Sequence, residues 1–203
     1  GASILDLNLS RFALSNSLSD LEFFSGIPGS VGGAIKMNAG CYGSETKDVL
    51  EKISVITKNG IKKNLSKNDL NLVYRNSNIT NNDIIISAVF KATFGDKETI
   101  KLTIENIKRK REQYQPLRTK TSGSTFKNPK GLHASKLIEE SDCKGLKIGG
   151  AQVSLKHANF LINLDRATAK DIEDLGKIVQ EKVYNKFSIN LEWEIIIIGA
   201  SSD

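Results

Sequence analysis

Apolar and polar positions along this chain follow two periods. From Lys97 to Gln113 a charged stretch carries Ile100, Ile104 and Ile107 at offsets of four and three, the spacing of one helix face, and it stops short of Pro116. Thr168 to Phe187 sets Ile172, Leu175, Ile178, Val179 and Val183 on one side of a longer predicted helix, and His133 to Glu140 predicts a shorter one. Strand signals lie between them. Ile53-Ser54-Val55-Ile56-Thr57 and Ile61-Lys62-Lys63-Asn64-Leu65 flank Lys58-Asn59-Gly60, and Asn-Gly between two such runs is a strong hairpin signal. Further strands are predicted over 84–90, 150–154 and 159–163, and residues 191–198 read as a buried closing strand. Residues 1–25 are weakly periodic, with one short helix predicted across 18–24 behind a Ser19 cap. The stretch 116–123, rich in Lys, Thr, Ser and Arg, reads as the loop between two lobes, 1–115 and 116–203.

Composition excludes more than it specifies. With 203 residues, 39% hydrophobic and 26% charged, the chain is long enough for a sizeable core in one or two domains. Cys41 and Cys143 stand far apart and there are two histidines, so neither a disulfide framework nor a zinc site is expected, and a reducing, cytoplasmic setting fits. The longest strongly apolar run, Ile195 to Ile198, is far below the ~20 residues of a membrane helix, and no signal peptide opens the chain. A net charge of +6 favours an anionic ligand. The basic run Lys108-Arg109-Lys110-Arg111 lacks interleaved aromatics, which argues against nucleic acid.

Four clusters place polar groups where core packing does not ask for them. The first is Gly26-Ile27-Pro28-Gly29-Ser30-Val31-Gly32-Gly33-Ala34, followed by Met37-Asn38-Ala39-Gly40-Cys41-Tyr42-Gly43. Such backbone either exposes successive N–H groups as an anion-binding concavity or makes a tight turn between packed strands. It is neither a dinucleotide fingerprint nor a P-loop. The second is Tyr74-Arg75-Asn76-Ser77, whose guanidinium suits a carboxylate or phosphate, or anchors a surface ion pair. The third, Ser122 to Pro129, exposes Ser124 at a turn without a nucleophile elbow; its hydroxyl can relay a proton, or the string is simply punctuation. The fourth joins Gln152, His157 and Asn159 to the terminal run around Glu194. By strand alternation Glu194 shares a face with Glu192, Ile196 and Ile198, and an unpaired buried carboxylate there would keep its proton and suit acid catalysis or charge stabilisation.

Taken together and in this order, the strings G-I-P-G-S-V-G-G-A with M-N-A-G-C-Y-G, Y-R-N-S, S-G-S-T-F-K-N-P, L-I-E with G-A-Q-V-S-L-K-H-A-N-F-L-I-N, and L-E-W-E-I-I-I-I-G closely resemble the UDP-N-acetylenolpyruvoylglucosamine reductase family. The resemblance implies an α+β fold: the distal part of a vanillyl-alcohol-oxidase-type FAD-binding domain over 1–115, then an α+β substrate-binding lobe. It implies FAD and NADPH as cofactors and UDP-N-acetylglucosamine enolpyruvate as substrate, in peptidoglycan precursor synthesis. Hydride passes from NADPH to FAD and on to C3 of the enolpyruvyl ether, and C2 is then protonated. On this pattern Ser124 matches the proton donor, while Arg75 and Glu194 match the residues that hold the substrate carboxylate and stabilise the enolic intermediate. Tyr74, Asn128 and His157 match substrate-contact positions. Gly26, Ile27, Pro28, Gly29, Ser30, Gly32, Gly33, Asn38, Ala39 and Gly40 match FAD-contact positions.

Two departures qualify the resemblance. The family's chain ordinarily starts with a further domain carrying a Gly-Ser-Asn loop for the FAD pyrophosphate, and no segment here matches it. A truncated reductase lacking its N-terminal FAD subdomain is therefore expected, with weak FAD binding and little activity alone. No tyrosine-bearing loop lies between Tyr74 and Ser124, as in the shorter family subtype. The alternatives are a non-catalytic nucleotide-sugar or cofactor-binding remnant, and a flavin oxidase releasing hydrogen peroxide. No histidine near the glycine run is placed for covalent flavin attachment, which weighs against the oxidase.

Overall fold

The computed structural model of the chain describes residues 1–199. They divide into two compact units, Gly1–Arg111 and Glu112 onward. The first unit runs α1 (Asp6–Ser15), β1 (Leu18–Ser19), α2 (Val31–Lys36), β2 (Gly40–Cys41), β3 (Ser44–Glu45), α3 (Thr46–Val49), β4 (Leu50–Ile56), β5 (Lys62–Ser66), β6 (Ile84–Phe90), β7 (Thr93–Phe94) and α4 (Lys97–Tyr114). Its main sheet is antiparallel in the order β5-β4-β6. The Asn59-Gly60 hairpin forms as expected: Ile53 faces Leu65, Ile56 faces Lys62, and Gly60 takes φ +76°. Leu50, Ile53 and Val55 of β4 bury against Val31 and Ile35 of α2. Ala34 of the same short helix joins Phe23, Phe24 and Val49 in a neighbouring cluster. In α4, Ile100 and Ile107 are buried, as their spacing predicts.

Helix α1 carries no legible stripe because its buried positions are Asp6, Ser10 and Ala13, while Leu7 and Phe12 are exposed. The helix expected over 18–24 does not form as such. Leu18 and Ser19 pair with Phe94 and Thr93, Asp20 turns at φ +78°, and only a 3-10 segment, Glu22–Gly26, follows.

The second unit holds β8 (Lys120–Ser124), α5 (Ala134–Glu140), β9 (Lys147–Ile148), β10 (Ala151–Val153), β11 (Phe160–Asn163) and α6 (Ala169–Phe187). Its antiparallel sheet has the order β8-β11-β10-β9. Helix α6 starts at a capping box in which Thr168 Oγ1 accepts from Asp171 N–H at 3.0 Å and Asp171 Oδ2 accepts from Thr168 N–H at 2.9 Å. Its buried stripe Leu175, Val179 and Val183 packs in one core with Phe126, Ile138, Val153, Leu161 and Leu191.

Two expectations are corrected here. The Lys-Thr-Ser-Gly-Ser stretch is a strand rather than a loop, because β11 gives it a ladder that its own composition does not favour. Residues 191–198 are not a strand. Trp193 makes a single bridge to Phe126, and Ile196 and Ile198 are 78% and 92% exposed. Among the described residues the pairing ends at the Trp193 bridge and its flanking hydrogen bonds, so the alternation of a full buried strand, which put Glu194 on a buried face, does not apply.

Candidate functional site

The glycine run is built around Ser30, which ends an extended segment and caps α2 by accepting from Gly33 N–H at 3.3 Å. Val31 and Gly32 donate their N–H groups to Ile4 and Ala2 carbonyls at 2.9 and 2.8 Å, and Ala34 donates to Ser30 O at 2.9 Å. The row of free N–H groups expected of an anion nest is thus spent inside the chain from Val31 to Ala34. Pro28, Gly29 and Gly33 are exposed. Gly29 takes φ +146°, and the nearest atom to a Cβ placed there would be Asp6 Oδ2 at 3.6 Å. Gly26 is different: a Cβ would come within 2.7 Å of Cys41 Sγ. Ile27 and Ala39 pack against the Phe23–Phe24 cluster.

Asp6 lies beside this run, its N–H donating to Gly29 O at 3.1 Å. Both carboxyl oxygens are buried with no hydrogen-bond partner among the described residues, and burial pushes the carboxyl up to about 7. Cys41 Sγ donates to Phe23 O at 3.3 Å, and burial raises its thiol to about 11, against the pull of Arg111 and Arg75.

Beyond α2 a cleft of about 430 Å³ is lined by Gly40, Cys41, Glu45, Lys47, Tyr74 and Arg75. Arg75 donates from Nη2 to Gly40 O at 3.1 Å, and its guanidinium lies 4.9 Å from the Tyr74 ring centre. Glu45 and Lys47 form an ion pair at 2.7 Å. Asn38, fully buried at φ +41°, donates to Glu45 Oε2 at 3.0 Å and Val73 O at 3.1 Å, and accepts from Lys47 N–H at 2.9 Å.

In the second unit Ser124 ends β8 behind Gly123, which takes φ +92°. The next residues are gripped from both sides. Thr125 N–H donates to Asn159 O, Phe126 N–H donates to Asn159 Oδ1 at 2.9 Å, and Asn159 Nδ2 donates to Phe126 O at 2.8 Å. Glu194 N–H donates to Thr125 O at 2.8 Å. Ser124 and Glu194, seventy residues apart, therefore stand on adjoining backbone segments. Asn128 Oδ1 caps α5 by accepting from Ala134 N–H at 2.9 Å. His157 Nδ1 accepts from Asn159 N–H at 3.3 Å, its ring meets Phe160 edge-on, and burial lowers its pKa, so the imidazole is neutral near pH 7. Arg75 and Tyr74 belong to the first unit; Ser124, Asn128, His157 and Glu194 belong to the second.

Residues 1–66 match the FAD binding domain family, and residues 115–198 match the UDP-N-acetylenolpyruvoylglucosamine reductase C-terminal domain. The UDP-N-acetylenolpyruvoylglucosamine reductase of Anaplasma marginale is 46% identical over 199 residues, covering 98% of this chain and 67% of its own. The chain belongs to the UDP-N-acetylenolpyruvoylglucosamine reductase family. The Gluconobacter oxydans reductase is 44% identical over all 203 residues, 66% of its own length. The crystal structure of the Thermus caldophilus reductase superimposes with a TM-score of 0.86 at 38% identity, over 96% of this chain and 70% of that one. The chain thus spans about two thirds of the length of the relatives it matches. Its family is one of FAD-dependent oxidoreductases that use NADPH.

The first unit fits a flavin in one respect and not in another. Gly29 and Gly33 leave exposed backbone without side chains, and Pro28 beside them is exposed, whereas the N–H groups of Val31 to Ala34 are already bonded and offer nothing to a pyrophosphate. What the sequence does not reveal is the bracing. Asn38, matched to an FAD-contact position, and Asn159, a hydrogen-bonding side chain of the fourth cluster, each also donate to distant backbone. Partners 33 to 35 residues away leave no local trace for a sequence pattern to reveal.

Proposed function

We propose that this chain serves the FAD-dependent, NADPH-driven reduction of UDP-N-acetylglucosamine enolpyruvate to UDP-N-acetylmuramate in the cytoplasm. The observation that carries the reading is Arg75: a guanidinium tethered to Gly40 O at the rim of a polar cleft, in a chain of this family. Pro28, Gly29 and Gly33, with their neighbours in the glycine run, would hold FAD, which would supply the hydride-transfer chemistry between NADPH and the substrate. Arg75 binds the enolpyruvyl carboxylate and stabilises the charge that grows on it as C3 is reduced, since a fixed cation strengthens as its partner's charge rises. Ser124 gives the proton to C2, and Glu194, on the segment paired beside it, stabilises the enolic species. Tyr74, Asn128 and His157 contact the nucleotide sugar. His157 does so as a neutral group, because its burial disfavours the imidazolium.

The test is flavin titration of the purified chain, followed by NADPH oxidation with and without the enolpyruvyl sugar nucleotide. Weak flavin fluorescence quenching and slow, substrate-dependent NADPH oxidation yielding UDP-N-acetylmuramate are expected of this chain alone. Flavin binding without substrate-dependent oxidation would overturn the activity and leave a binding module; hydrogen peroxide in place of the reduced sugar would point to an oxidase.

A further inference from the structure

Tyr74 and Arg75 are the middle residues of a tight turn closed by two hydrogen bonds, Val73 N–H to Asn76 O at 3.1 Å and Asn76 N–H to Val73 O at 3.2 Å. Arg75 takes φ +52°, where such turns ordinarily place Gly or Asn. A side chain held in that conformation needs surroundings that impose it, and such outliers gather at functional sites. The surroundings here are one short segment. Asn38 Nδ2 donates to Val73 O, at the base of the turn, and two residues later Gly40 O accepts from Arg75 Nη2, at its tip. Asn38 Nδ2 also donates to Glu45 Oε2, and the amide oxygen accepts from Lys47 N–H, so the side chain fixes the Glu45–Lys47 wall of the cleft as well. Asn38 itself sits at φ +41°, a conformation Asn tolerates, and is fully buried.

We propose that Asn38 is a positioning residue for Arg75: its amide ties the base of the Tyr74–Arg75 turn to the Gly40–Lys47 wall, so the guanidinium reaches the substrate carboxylate already aimed. It acts on the substrate step and not by touching FAD. The inference rests on the reduction proposed above.

The test compares Asn38→Ala and Asn38→Asp with the unaltered chain. Asn38→Asp preserves size, tolerance of the left-handed conformation and the acceptor for Lys47 N–H. It is made together with Glu45→Gln, with Glu45→Gln alone as its reference, so that its carboxylate meets an amide instead of the carboxylate that accepts from Nδ2, and it keeps the experiment decisive where Asn38→Ala fails to fold. Each removes the donor to Val73 O. The KM for the enolpyruvyl substrate should rise about tenfold, the weight of one hydrogen bond serving a charged group. Flavin affinity and the rate of flavin reduction by NADPH should stay within about twofold, less than the loss of one such bond. In an Arg75→Lys background, Asn38→Asp should add nothing further, because both changes act through one group. Reduced flavin affinity, effects that multiply in the double variant, or an unchanged KM would each overturn the proposal. If the unaltered chain shows no substrate-dependent turnover, the activity itself is wrong, and the flavin-free chain decides for Asn38. There the 15N relaxation of Arg75 Nε–H should report greater motion in Asn38→Asp, and identical relaxation would sink the idea.

Discussion

The N–H of Glu194 donates to the carbonyl of Thr125 at 2.8 Å, which seats the terminal segment alongside the residue that follows Ser124. Lys127 N–H to Glu192 O, at 2.8 Å, repeats the contact two residues on. The pairing gives the proposed proton donor and the proposed charge stabiliser a common backbone frame. Ser124→Ala should therefore leave flavin reduction by NADPH intact and lower substrate reduction by about 10²-fold or more, the usual weight of a positioned proton donor. Single-turnover kinetics of the two half-reactions separate these effects. Equal loss in both would make the serine structural.

The frame depends on Asn159, which is buried and grips Phe126 by both its N–H and its carbonyl. Asn159→Ala leaves both groups buried and unpaired. A cost of roughly 2–6 kcal/mol is expected, from two stranded polar groups. Urea unfolding measures it, and a loss under about 1 kcal/mol would mean that water takes over the side chain's place at little cost.

What the sequence makes legible is whatever depends on near neighbours. Asn59-Gly60 announces its hairpin and the Leu175–Val183 stripe announces α6, because turn chemistry and helical period act over a few residues. Helix α1 escapes the same reading since the positions it buries are Asp6, Ser10 and Ala13. Strand β8 exists through its pairing with β11, and Ile195–Ile198, the most strand-like string in the chain, has no such partner among the described residues. For the site, the ordered strings point to Arg75, Ser124 and Glu194. The amide bonds of Asn38 and Asn159 span 35 and 33 residues and emerge only from the folded chain.

Gly176 lies where α6 passes the ring of Trp193, and a Cβ there would overlap the indole at Cη2. In an open helix Gly→Ala stabilises by up to ~1 kcal/mol. Gly176→Ala should do the reverse here, costing about 1–3 kcal/mol through overpacking. Trp193 is the chain's single tryptophan, and its ring also packs on Phe126 at 4.8 Å. Its displacement should appear as a red shift of the fluorescence emission. An unshifted spectrum with raised stability would show that the indole has room to move aside.

Asp6 makes stability depend on pH in the direction opposite to a salt-bridged carboxylate. Its carboxyl is buried with no partner among the described residues, and its folded pKa stands near 7 against an ordinary value of 3.8. Below about pH 4 the group is protonated whether folded or unfolded and costs nothing. As pH rises from there the unfolded chain ionises first, so stability falls until the folded carboxyl also ionises near pH 7, and is constant above it. Each pKa unit is worth about 1.4 kcal/mol, and screening by nearby solvent reduces the sum to roughly 2–4 kcal/mol. A neutral amide in its place has no charge to bury, so Asp6→Asn should flatten this slope while leaving stability near pH 4 little changed. Urea midpoints at pH 5 and pH 8 decide it. The unaltered chain should lose stability over that interval and the variant should not, whereas parallel losses in both would mean that other groups set the pH dependence and that Asp6 finds a partner for its charge.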